Sequence, residues 1–336
     1  MTRPGRPFAW RRGGLGLAWG GVAGSLAAAP WLWAHDGAWL WPWLLSGVVL
    51  GLPHGALDPF VPARLHGAPL RAAPLAAFCA LYLGVAAAVV ALWGLAPGAA
   101  TAAFVALTWA HWGQGDVFAL RALGWDRHLA STPQLVLAGV VRGALPMAVP
   151  FAAQPEATAA VAVDLVAVFD PALRAPSLAA LGAVPAGALA AALVALGLAY
   201  AVWGGAVVVR ARRARRAAAR TLALDLGEVA ALAFFFAVLP PVWSVGVYFC
   251  LWHAVRHLAR LEPLVAPRAP LRLAALAAPA TLGALALMAA AAWTLRAGAP
   301  GGRLAFYLVC IAGLTVPHTA LVAWMDARQG TWRADG

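Results

Sequence analysis

Ten apolar runs, each about as long as a bilayer is thick, occupy nearly all of this sequence. They are read as Gly14–Ala34, Trp39–Asp58, Ala73–Gly94, Ala99–Leu120, Pro133–Ala152, Leu178–Val208, Leu222–Leu239, Pro241–Glu262, Leu271–Leu295 and Leu304–Ala327. A membrane-crossing helix needs about 20 apolar residues. In hydrocarbon every backbone polar group must be paired inside the protein, and a helix does this within one segment. The expected fold is therefore all-α: a polytopic integral membrane helix bundle of about ten transmembrane helices, with eight to ten as the range. It is expected to form one membrane domain over 1–336, with a basic N-terminus at 1–13, the bundle at 14–327 and a tail at 328–336. Only 11% of the residues are charged, against about one quarter in a soluble domain. The chain of 336 residues leaves no room for a soluble catalytic domain, so any chemistry belongs in or beside the bilayer.

The net charge of +12 comes from 24 basic residues, all of them arginine. In a soluble protein this would suggest nucleic acid. Here the arginines fall in alternate loops, including the run from Arg210 to Arg220, and only Arg174, Arg296 and Arg303 fall in the others. Positive charge concentrates on the cytoplasmic side of membrane proteins. The expectation is a multi-pass protein of the cytoplasmic membrane with both termini inside, the lipid bilayer as its surroundings and no nucleic acid partner. The first run, with Ala27-Ala28-Ala29 near its end, also has the form of a signal peptide, but a retained first helix is simpler. Lysine is absent, which excludes a retinal Schiff base. Cys79, Cys250 and Cys310 form no Cys-x-x-Cys pair and read as small buried hydrophobes.

Histidine carries the remaining information. His253 and His257 are four residues apart, just over one helical turn, so both rings leave one face of a helix. Such a pair either hydrogen-bonds to neighbouring helices or shares a metal ion. His54, His111 and His318 lie in three other runs. All four runs cross in the same direction, and the five histidines sit 12 to 16 residues from the starts of their runs. At 1.5 Å per residue they share a layer about 6 Å thick. Imidazole suits iron, copper, zinc and nickel, and four His on an ion that prefers six ligands leave open positions. His35, His66 and His128 fall in loops and look incidental. Pro53 and Gly55 flank His54, Gly113 and Gly115 follow His111, and Pro317 precedes His318. Helix distortion at membrane depth is tolerated where it lines an enclosed cavity.

Asp58 is placed to orient an imidazole, to cap a helix or to pair with Arg64. Arg142 and Glu228 are expected to pair with each other or with Asp58 or Asp116. Arg256 is expected either to reach the headgroups or to hold a carboxylate near the site. The segment Glu156–Phe169 is apolar but too short to cross, and is expected on the surface. Trp109, Trp112, Phe249 and Trp252 lie near the histidines and are candidates to line a tunnel for a long apolar molecule.

The pieces Leu52-Pro-His-Gly-Ala-Leu-Asp58, His111-Trp-Gly-Gln-Gly-Asp116, Trp252-His-Ala-Val-Arg-His257 and Val316-Pro-His318 resemble the histidine motifs of the Brp/Blh family of membrane β-carotene 15,15′-dioxygenases. The resemblance runs from the second run to the tenth. It implies an Fe(2+) enzyme that cleaves β-carotene centrally with O2 to two retinals, with a microbial rhodopsin as recipient. It implies His54, His111, His253 and His257 as iron ligands and catalytic residues, His318 as a fifth ligand or a neighbour of one, and Asp58 and Asp116 as supporting residues. Two other classes compete. A divalent metal transporter would need polar paths to both faces, and the outer halves of these helices are almost wholly apolar. A membrane desaturase or hydroxylase holds two irons with about eight clustered histidines, and this chain offers five.

Overall fold

Prolines and glycines decide where each helix stops. The computed structural model describes residues 15–211, 213–294 and 300–334, so the basic N-terminus expected at 1–13 lies outside the described residues. Every regular element among them is helical, and the protein is an all-α membrane bundle. The first run is α1 (Leu15–Ala27) and α2 (Ala29–Ala34), parted where Pro30 opens α2. The second is the most broken. It comprises α3 (Trp41–Val48), α4 (Gly51–Gly55), a 3-10 turn at Asp58–Phe60 and α5 (Val61–Leu65). Pro42, Pro59 and Pro62 each stand at the start of a piece, where a missing N–H costs least.

Three long helices follow: α6 (Ala72–Leu95), α7 (Pro97–Leu123) and α8 (Thr132–Ala153). Then come α9 (Pro155–Val166), α10 (Arg174–Gly182), α11 (Ala186–Arg210) and α12 (Arg215–Val238). The run expected as one helix over Leu178–Val208 is two, because Pro185 ends the first and caps the second. The segment expected on the surface is α9, and it is not there. Thr158, Ala159, Ala162 and Val163 are buried, and the indole of Trp93 donates to the Leu165 carbonyl at 3.1 Å. An apolar face too short to span still finds a place as a plug between longer helices.

The run over Pro241–Glu262 is α13 (Pro241–Val247), a π-helical turn at Tyr248–His253 and α14 (Ala254–Val265). The chain ends in α15 (Pro270–Thr294) and α16 (Pro300–Gln329). By length and composition, seven stretches among the described residues are apolar enough to cross a membrane: Asp36–Leu65, Ala72–Leu95, Thr132–Ala153, Ala186–Arg210, Arg215–Val238, Pro270–Trp293 and Gly302–Gln329. The α7 and α13–α14 stretches are not among them. They carry His111, Gln114 and Asp116, and His253, Arg256, His257 and Arg260. They are less apolar because they hold the site.

Helix α8 lies hard against α7. A Cβ on Gly113 would meet the Gly139 carbonyl at 2.0 Å, and one on Gly143 would meet the Trp109 carbonyl at 2.0 Å. Only glycine allows backbones this close. Outer faces carry exposed Leu81, Leu95, Leu271, Leu282 and Trp293, as hydrocarbon surroundings permit.

Candidate metal centre

Four helices bring the five histidines together. His54 comes from α4, His111 from α7, His253 and His257 from the end of the π turn and α14, and His318 from α16. All are buried. Ring centroids are 5.0 Å apart for His54–His318, 4.8 Å for His111–His253 and 4.9 Å for both His111–His318 and His257–His318. His54 stands 5.4 Å from His253 and from His257, and those two are 6.4 Å apart. Rings bound to one ion through single nitrogens at about 2.1 Å have centroids about 4.5 to 6.5 Å apart. The observed spacings fall in that interval.

The ring nitrogens make the same point. His54 is fixed through Nδ1, which donates to the Gly51 carbonyl. His318 Nδ1 donates to Asp58 Oδ2 at 2.7 Å. Among the described residues, His318 Nε2, His257 Nε2 and both nitrogens of His111 are buried without a hydrogen-bond partner. Buried polar atoms are nearly always paired, so several unpaired nitrogens in one place call for an electrophile. Ligand atoms of His54, His253 and His318 lie within 4.8 Å of one another, as do those of Asp58, His257 and His318. The donor set fits a transition metal that accepts imidazole.

His54, His111, His253 and His318 form part of the wall of a cavity of about 390 Å³. The rest of its wall is largely apolar and includes Trp112, Phe249, Phe104, Val161 and Ile311. Of the aromatic residues singled out from the sequence, Trp112 and Phe249 line the cavity, with their rings stacked 6.1 Å apart. Trp109 and Trp252 do not line it. Trp109 precedes His111 by two residues, about 200° around the helix, and its indole donates to the Val140 carbonyl on α8 at 2.8 Å. Trp252 turns to Asp116, 3.2 Å from its indole nitrogen, and the Arg256 guanidinium lies 4.1 Å from its ring centroid.

On the other side of the histidines lies an ionic layer. Among the described residues Asp116 makes no hydrogen bond to a histidine, although it lines a small pocket with His111, His253 and His257. It accepts from Arg142 at 3.1 Å and Arg256 at 2.8 Å. Glu228 accepts from the same two arginines, at 2.7 and 3.0 Å. Asp225, not singled out from the sequence, pairs with Arg142 and with the Tyr200 hydroxyl. His128 looked incidental but is wholly buried, 2.8 Å from Asp225. Its loop position hid this, since the contact is made by packing. Beyond it Arg260 holds Asp326 at 2.6 Å, and Gln114 donates to the same carboxylate at 2.6 Å. Tyr82, also unmarked in the sequence, lines the cavity with its hydroxyl 3.1 Å from Asp58.

Comparison with known proteins places this arrangement. The profile of the family described as "Beta-carotene 15,15'-dioxygenase" matches residues 45–326, which include all five histidines. The chain is 37% identical to the probable β-carotene 15,15′-dioxygenase Blh of Halobacterium salinarum, over 94% of this chain and 93% of that one. It is 30% identical to the probable β-carotene 15,15′-dioxygenase Brp of the same species, over 86% of this chain and 84% of that one. No solved structure matches it. On both the family profile and these relatives, the chain belongs to the β-carotene 15,15′-dioxygenase family.

Proposed function

We propose that this membrane enzyme cleaves β-carotene at its central double bond with O2 to give two molecules of all-trans-retinal. The metal is one Fe(2+), held by His54, His111, His253 and His257. The relatives' names supply the substrate and the bond. The observation that carries the chemistry is the histidine layer, with unpaired nitrogens, forming part of the wall of an otherwise apolar cavity.

When bound, iron supplies electrons that let ground-state O2 react with an alkene. The chain does the rest. His54 is locked by Gly51 with Nε2 left to bind. Trp112 and Phe249 form a flat wall beside His253, suited to a conjugated polyene, and hold its midpoint at the histidines. The apolar wall keeps water from the reacting bond. The two oxygen atoms of O2 become the two aldehyde oxygens as one C=C breaks, so no further reductant or proton donor is required.

The substrate dissolves in hydrocarbon, and an enzyme embedded there need not extract it. Accordingly we place the chain in the cytoplasmic membrane as one ten-helix domain over 1–336 with both termini inside. A rhodopsin of the same membrane is the natural recipient of the retinal. The test is expression in cells that accumulate β-carotene, with His253→Ala as control, followed by chromatography of the pigments. Retinal, or retinol made from it, is expected only with the parent chain. Unchanged β-carotene in both, with protein in the membrane and iron supplied, would refute the assignment.

A further inference from the structure

Among the described residues five acidic side chains are buried: Asp58, Asp116, Asp225, Glu228 and Asp326. Four of them lie against arginine, through Arg142, Arg256 or Arg260. Asp58 differs. It is wholly buried, and among the described residues no arginine forms an ion pair with it. Its Oδ2 accepts from His318 Nδ1 at 2.7 Å and lies 3.1 Å from the Tyr82 hydroxyl. Its Oδ1 meets no partner. With the His318 ring neutral, its pairing with Asp58 brings no positive charge, and a buried carboxylate without a cation is among the costliest groups a protein can carry. Something positive belongs beside it.

The geometry says where. Asp58 accepts a hydrogen bond from the Nδ1–H of His318, which fixes the neutral tautomer and leaves Nε2 as a lone pair. That Nε2 is buried and unpartnered, and its ring lies within 5.0 Å of three other imidazoles. Oδ1 of Asp58 is a second unsatisfied acceptor next to the same histidines. Tyr82 closes the assembly from α6, since its hydroxyl also lies 3.0 Å from the Leu314 carbonyl of α16, one turn before His318.

We infer that His318 is a fifth imidazole ligand to the metal, bound through Nε2, and that Asp58 is the counter-charge of the centre, with Tyr82 positioning the Asp58–His318 pair. A carboxylate behind a ligating imidazole makes that imidazole a stronger donor. It also lowers the net charge of a divalent all-histidine site from +2 to +1. The centre thus gains in affinity and favours the higher oxidation state more than four neutral histidines would.

This rests on the metal-binding reading above but not on the identity of the carotenoid. The test uses the full chain in detergent, loaded anaerobically with Fe(2+), as wild type, Asp58→Asn, His318→Gln and Tyr82→Phe. Two quantities are read: iron affinity by chelator competition, and the Fe(III)/Fe(II) midpoint. Asp58→Asn is expected to weaken iron binding about 10- to 100-fold and to raise the midpoint, with His318→Gln also losing affinity and Tyr82→Phe losing less. Unchanged affinity and midpoint in Asp58→Asn would overturn the inference. Should the variants fail to fold, X-ray absorption on the wild-type iron protein counts the imidazoles directly: five supports the inference and four overturns it. A chain with five imidazoles on iron that leaves β-carotene intact would sink the substrate assignment alone. A chain that binds no iron would sink both.

Discussion

Methionine in place of Arg142 would leave three carboxylates in the middle of the bundle with one guanidinium among them. Arg142 and Arg256 now face Asp116, Asp225 and Glu228. Asp116 and Glu228 would keep Arg256. Asp225 would keep only Tyr200 and His128. The cost is therefore mainly that of stranding one buried charge, about 3–5 kcal/mol. At about 2 °C per kcal/mol for a chain of this size, the melting temperature in detergent should fall by about 6–10 °C. The tryptophans, 17 in number, provide a fluorescence signal for that scan. Asp225→Asn added to Arg142→Met removes the stranded charge and should restore about half of the loss, a non-additivity that direct contact requires. Arg142→Lys keeps the charge but not the planar fork that serves several oxygens at once, and should lie between. A fall below about 2 °C for Arg142→Met, or an additive loss in the double variant, would refute this account of the ionic layer.

Two other expectations follow from packing and cavity shape. Gly113→Ala and Gly143→Ala drive a methyl into a carbonyl 2.0 Å away and should each cost at least about 1–3 kcal/mol, while Gly84→Ala, with nothing within 4 Å, should be neutral or stabilising on the same scan. Trp112→Ala or Phe249→Ala removes one of two stacked walls, so the pigment profile should gain cleavage products other than retinal, and an unaltered ratio would show that these rings do not set the cleavage position.

The all-helical membrane fold was legible because apolar runs of one length leave few alternatives. The shared depth of the histidines was legible for a related reason: topology fixes direction, and rise per residue fixes height. What counting along a chain misses is which side chains face each other. Trp109 and Trp252 are as close in sequence to the histidines as Trp112 and Phe249, yet helical rotation turns them to other partners. Asp225 lies one turn before Glu228 in an apolar run, a spacing that marks one face, but its links to Arg142 and His128 exist only once α8 and α12 pack. Tyr82 has no local signature, since its meaning comes from Asp58 on another helix. Pro185 does announce a break, and weighing it against run length would have split that helix.

The π turn at Tyr248–His253 bears on how this chain tolerates insertion and deletion. A turn closed by i→i+5 bonds holds one residue more than an α turn, and each residue advances a helix by about 100°. Removing Cys250 would let the segment relax to a continuous α-helix, with every remaining residue in place by composition. Because the π turn already takes up that extra residue within one revolution, all that precedes it would keep close to its present phase against His257. Phe249 would stay close to the cavity wall and the indole of Trp43 would keep its acceptor, the Val242 carbonyl at 2.7 Å. The helix thus carries a phase as well as a sequence, and this turn is where one residue can be lost with the least rotation of the site, whereas in a plain α-helix the same loss costs about 100°.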